Sequence, residues 1–239
     1  MIASTLSGAA GGGGGMITTP FMVVLGLSPA TAIATAKFGG LGLATGASSR
    51  FFKEQMLERR TILLFSAIGG IGALAGSLLL SNFSQHADII RKLMGLVILL
   101  IGIPMLYIRK SSYKARQPNQ SVKRIGYALL GVSTLLQASI GSGIGNLQMP
   151  LFIGLFGMTA LKASASRRAM QITVSAVSSI VYIFAGLINY RFAIALVVTS
   201  LAGGYIGAHI AISKGNKFII NLFTAVSILL ALRLLIGGF

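Results

Sequence analysis

Apolar positions along this chain come in runs, and the runs are of two kinds. Five suit a helix crossing a hydrocarbon core of about 30 Å, which takes about 20 residues. They cover residues 61–83, 89–108, 169–190, 192–213 and 218–236. The second carries two cations near its start and the last carries Arg233 near its end, where long stems reach the interface. The other kind is too long for one crossing. Residues 1–36 and 125–161 contain no charge, and at about 1.5 Å per residue either would run past about 50 Å as one helix. Each is interrupted, by GGGGGMITTP at 11–20 and by GSGIGNLQMP at 141–150. Glycine and proline break helices, and backbone freed inside a membrane must be buried in protein or line a cavity. The pattern therefore predicts a broken or re-entrant helix pair at each place. A separate helix follows each break, at 28–49 and at 159–187.

The two halves match each other. Gly13, Gly15 and Pro20 align with Gly143, Gly145 and Pro150 at an offset of 130. After one inserted residue the offset is 131, and Gly26 meets Gly157, Thr35 meets Ser166, Arg60 meets Arg191, and Gly72 and Gly76 meet Gly203 and Gly207. Near the ends, residues 98–100 meet 228–230, again at 130. One register over so long a span predicts two homologous repeats of about four helical segments each, 1–108 and 125–239. Internal repeats with broken helices mark transporter folds, whose binding site lies between the breaks near the midplane. The segment 109–124, RKSSYKARQPNQSVKR, is polar and basic and reads as an exposed cytoplasmic linker.

Composition agrees with an all-α integral membrane protein. Hydrophobic residues make up 54% and charged residues 10%, with mean hydropathy +0.86, whereas soluble proteins carry about 25% charge. Twenty Lys and Arg face three acids, Glu54, Glu58 and Asp88, for a net charge of +17. In a soluble protein that balance would suggest nucleic acid. Here most cations lie between apolar runs, as flanks of membrane spans do, and no basic groove or aromatic platform for nucleic acid is visible. There is no cysteine, and His86 and His209 are far apart with no carboxylate pattern beside them, so no metal and no cofactor is expected. An intramembrane enzyme would need nucleophile–base or carboxylate pairs, and none is present.

At this point the chain resembles the sulfite exporter TauE/SafE family. The resemblance rests on GGGGGMITTPFMVVLGLSPATAIATA, on its degenerate second copy GSGIGNLQMPLFIGLFGMTALKASAS, and on the repeat layout, and it covers nearly the whole chain. It implies a multi-pass inner-membrane transporter exporting sulfite or related organosulfonates. Uptake of the same anions, or a non-transporting membrane assembly subunit, are the readings left beside it. The stretch before Gly11 is shorter than its counterpart at 125–140.

The candidate site follows from charge. Lys37 falls on Arg168 and Ala36 on Arg167 under the 131 offset. Both Lys37 and Arg168 lie roughly ten residues into their helices, about 15 Å deep and near the midplane. A cation there needs a partner, and no acid lies in a predicted span. A small anionic substrate between the repeats would serve, held also by amides of Gly13, Gly14, Gly15, Gly143 and Gly145 at the breaks. Thr18, Thr19, Asn146 and Gln148 add hydrogen-bonding side chains beside Pro20 and Pro150, and Thr35 and Ser166 occupy matched positions near the cations. The bland alternative is that both cations bond to carbonyls freed at the breaks. Arg167, turned about 100° from Arg168, is expected to stand apart from the site. Gly72-xxx-Gly76 and Gly203-xxx-Gly207 are expected to pack helices within one chain, so that a homodimer is not indicated. Two topologies remain: if both broken segments cross fully, the chain has eight spans and parallel repeats. If each broken segment is a hairpin, the repeats are inverted, both termini lie outside the cytoplasm, and only Arg91, Lys92 and Arg191 fall on the cation-poor side, as the positive-inside rule prefers.

Overall fold

The computed structural model describes residues 1–11, 14–56, 58–85 and 118–236, and every regular element among them is helical. Helix α1 (Ile2–Ala10) ends on Gly11, which takes the left-handed conformation at φ 69°. Helix α2 (Gly14–Val24) follows. Ser28 caps α3 (Pro29–Lys53): its Oγ accepts the Thr31 N–H at 3.2 Å, and Pro29 supplies the φ of a first helical residue. Helix α4 spans Arg59–Asn82.

The second half opens with α5 (Gln120–Ser139), breaks at Gly141 (φ 124°), and passes through a 3-10 turn (Ser142–Leu147) into α6 (Gln148–Gly154). Thr159 caps α7 (Ala160–Phe184) as Ser28 caps α3, its Oγ1 accepting the Lys162 N–H at 3.4 Å. Helix α8 (Tyr190–Ile236) is broken at Gly215, which leaves helical geometry with φ 74° and ψ −170°.

These elements follow the sequence pattern closely, with two differences. The breaks fall on the glycines alone. Pro20 lies inside α2 and Pro150 in the first turn of α6, where an N–H has no helical partner to lose. The two spans expected at 192–213 and 218–236 are both present, parted at Gly215, where helical geometry is lost. The basic linker gives way to helix at Gln120, so its last residues form the first turn of α5. The span expected at 89–108, and the linker through residue 117, lie outside the described residues.

Two apolar clusters fix the direction of each helix. One joins Ala30 and Ile33 at the start of α3 to Leu80 at the end of α4, Tyr182 at the end of α7, and Ile188 and Ala193 around the start of α8. The other joins Ala47 and Phe51 at the end of α3 to Phe65 at the start of α4, Ala160 and Ala163 at the start of α7, and Ala208 and Ala211 far along α8. So α3 and the first limb of α8 run one way, and α4 and α7 run the other. Close glycine contacts add α1 and α5. Gly203 meets Ser4 and Gly207 meets Ala9, so α1 runs with α8. Gly72 meets Gly131 and Gly76 meets Ala138, so α5 runs with α4. Both Gly-xxx-Gly stripes thus pack against helices of the same chain, letting backbones approach where any Cβ would collide.

Polarity is arranged for lipid outside and polar contacts inside. Helix α4 and residues Tyr190–Leu222 are long and apolar enough to cross a membrane. Leu63, Ile71 and Leu74 on α4 and Ile194, Val198 and Leu201 on α8 point outward. Ser164, Gln171, Ser175 and Ser178 on α7 are buried. Phe65, Tyr127, Phe152 and Phe156 stack at one end, with centroids 4.9 Å apart for the closest pairs, and pin α6 against α4 and α5.

Candidate functional site

Lys37 is the ninth residue of α3 and Arg168 the ninth of α7, so each stands about 13 Å into its helix. Because α3 and α7 run in opposite directions, the two lie at matching depths near mid-bundle. They line one cavity of about 60 Å³ together with Ser4 and Ser7 of α1, Thr18 of α2, Gln137 of α5, Gln171 and Ser175 of α7, and Ser200 of α8. Ala36 and Arg167, the preceding residue on each helix, line it too. No Asp or Glu is among the lining residues. Lys37, Arg167 and Arg168 are exposed by only 2%, 4% and 3%.

The cations are held unequally. Arg168 donates through Nη2 to the backbone carbonyl and, at 2.9 Å, to the hydroxyl of Ser7. That carbonyl belongs to the last turn of α1, where carbonyls lack helical partners and a cation complements the dipole. The bland alternative is therefore realised for one nitrogen of Arg168. Arg167 donates through Nε to Gln148 Oε1 at 3.1 Å. Gln148 donates to Gln137 at 3.0 Å, Gln137 to Gln171 at 3.2 Å, and Gln171 to Ser175 at 3.1 Å. This relay ties α6 to α5 and α7. Lys37 Nζ, Arg167 Nη1 and Arg168 Nε have no hydrogen-bond partner among the described residues. A bundle that leaves three cationic side chains short of partners in a polar, acid-free chamber is chemically prepared for an anion.

The sequence-derived candidates divide accordingly. Lys37, Arg168 and Thr18 line the cavity, and Gln148 joins it through Arg167. Gly145 backs onto it: a Cβ there would sit 2.5 Å from Gln137 Nε2 and 2.6 Å from Arg167 Nη2. Asn146 and Thr19 are buried beside the breaks. Gly14, Gly15 and Pro20 belong to α2, Gly143 to the 3-10 turn and Pro150 to α6. Thr35 and Ser166 are buried but are not among the lining residues, and Thr35 Oγ1 instead accepts the Asn189 N–H at 3.0 Å, fastening α3 to the turn before α8. Gly13 lies outside the described residues.

One expectation is corrected. Arg167 does not stand apart from Arg168. Residues of α1, α2, α3, α5 and α8 line the cavity opposite α7, so it is broad enough for two consecutive long side chains of α7 to reach it. Ser4, Ser7, Gln137, Gln171, Ser175 and Ser200 were not picked out from sequence. The available signal was Arg168, Gln171 and Ser175 at spacings of three and four, which puts them on one face of α7.

A buried polar chamber between glycine-broken helices, inside a bundle with an apolar exterior, is the architecture of a membrane transporter. The chain belongs to the sulfite exporter TauE/SafE family, whose model matches residues 1–234. It is 26% identical over 237 residues to the "Probable membrane transporter protein YfcA" of Escherichia coli K12, covering 98% of this chain and 86% of the relative. It is 27% identical over 238 residues to the "Probable membrane transporter protein" of Haemophilus influenzae, with 98% and 90% covered. A third relative, the "Probable membrane transporter protein ORF9" of Sinorhizobium sp, is 28% identical over 240 residues, with 98% and 88% covered. No solved structure matches the chain. The protein is a membrane transporter.

Proposed function

We propose that the protein exports a small sulfur oxyanion or organosulfonate across the inner membrane, binding it between Lys37 and Arg168. The observation that carries this reading is that two buried cations, each at the ninth position of its helix, line one chamber without a carboxylate. An anion there offsets the cost of holding them out of water. Export also fits the energetics: with the cell interior negative, each charge leaving releases about 2.3 kcal/mol per 100 mV.

The repeats are inverted in this reading. In support, three helices of the first half run opposite to their counterparts: α1 against α5, α3 against α7, and α4 against the first limb of α8. Arg50, Lys53, Arg59, Arg60, Lys123, Arg124, Lys162, Lys214 and Lys217 gather toward the end where α3 stops and α4, α5 and α7 start. That end faces the cytoplasm, and the start of α1 faces outward.

Flux of sulfite from proteoliposomes tests the proposal. We expect wild-type efflux, about tenfold loss in Lys37→Gln, and a larger loss in Arg168→Gln, which removes a buried cation and also its hold on the last turn of α1. Normal flux in the Lys37→Gln/Arg168→Gln double variant would sink the site.

A further inference from the structure

The geometry points to Arg167 as a third anion ligand that selects for charge, so that the chamber prefers a compact dianion over a monoanion of the same shape. This rests on the proposed Lys37–Arg168 site and names the class of anion it takes.

Three observations carry it. Arg167 lines the same chamber as Lys37 and Arg168 and is 4% exposed, yet its Nη1 has no hydrogen-bond partner among the described residues. Its Nε is anchored to Gln148, itself held by Gln137, so the guanidinium is fixed rather than free to swing toward an interface. The matched position in the first half is Ala36, which also lines the chamber. The third charge is therefore an addition on one side, not a by-product of the repeat.

Charge balance then decides the ligand. Three cations face the chamber and no carboxylate does, so a monoanion leaves two charges uncompensated and a dianion leaves one. Three fixed cations attract a dianion about twice as strongly as a monoanion of the same shape, which opposes its larger dehydration cost. A zwitterion bearing an ammonium group is disfavoured twice, because it adds a cation and finds no carboxylate to accept it. Size limits the ligand as well: about 60 Å³ holds roughly four ordered waters, which suits an inorganic oxyanion of four or five heavy atoms. The donors are also suited, since two guanidinium groups and an ammonium can surround oxygens on several sides.

Sulfate and methanesulfonate test this, because they are nearly the same size and differ by one charge. Their affinities are read from the rise in melting temperature of the purified full-length protein in detergent, and their fluxes from proteoliposomes. Wild type should favour sulfate at least tenfold; a ratio near one overturns the inference without recourse to any variant. Arg167→Gln should lower the sulfate-to-methanesulfonate ratio about tenfold, and Arg167→Lys, which keeps the charge, should hold it within about threefold of wild type. Equal loss for both anions in Arg167→Gln, or loss of the ratio in Arg167→Lys, overturns it. The parent reading fails separately, if Lys37→Gln/Arg168→Gln binds both anions as wild type does.

Discussion

A lysine ammonium with no hydrogen-bond partner among the described residues, only 2% exposed inside a bundle with an apolar exterior, weighs against stability at Lys37. Insertion scales put a central cation at about 2.5–3.5 kcal/mol. Replacing a buried charge by an apolar residue of similar volume is often neutral or stabilising by about 1–4 kcal/mol. Lys37→Met should therefore raise the melting temperature of the ligand-free protein while sulfite flux falls at least tenfold. A variant that melts lower and transports less would mean that Lys37 serves the fold. Arg168 should not behave this way. Its contact with the last turn of α1 makes it structural as well as electrostatic, so Arg168→Met should lose stability along with flux, and the two melting shifts should have opposite signs. The relay from Gln148 to Ser175 shows why a polar residue in a span need not be a ligand: each amide satisfies its neighbour, whereas Lys37, Arg167 and Arg168 each keep a nitrogen without a partner among the described residues.

At the scale of the element, glycines that look alike in sequence do different work. Gly46 of α3 faces the Leu201 carbonyl on α8 so closely that a Cβ has no room, and backbone cannot yield. Gly154 at the end of α6 meets nothing within 4 Å of an added Cβ. Gly46→Val should cost 3 kcal/mol or more, about the upper range of overpacking. Gly154→Ala should gain up to about 1 kcal/mol from helix propensity. Thermal melts of both variants check the contrast, and equal shifts would contradict the close approach of α3 and α8. The helices themselves were legible before the structure, because their apolar runs are long and their starts are marked by Ser28-Pro29 and Thr159. The glycine breaks were legible for the same reason, since an uncharged run past one membrane thickness must fold back or break. The partner of each glycine stripe was not, because spacing tells that a backbone comes close and not whose it is. Nor was Arg167 legible as a lining residue. Helical angle places it off the Arg168 face, and only the breadth of the cavity opposite α7 brings the two to one chamber.

For the whole molecule, helix direction makes a topological prediction. A reporter active only in the cytoplasm should stay silent when fused to either terminus and should light when inserted in the basic segment 109–117; activity at the C-terminus would contradict inverted repeats. The same packing has a consequence for biosynthesis. Helix α1 lies against the first limb of α8, and Ser4 meets Ser200 at 3.1 Å, almost two hundred residues later in the chain. Helix α4 of the first half is likewise completed by α5 and α7 of the second. Contacts this distant in sequence close late and slowly. At the translocon, the first half therefore emerges as a set of spans without their natural neighbours, with Lys37 already inserted and Arg168, Ser200 and the walls of the chamber still unmade. Maturation must wait for Tyr190 onward to leave the ribosome. Until then the nascent chain depends on lipid, insertase or water to tolerate a charge that the finished protein will enclose.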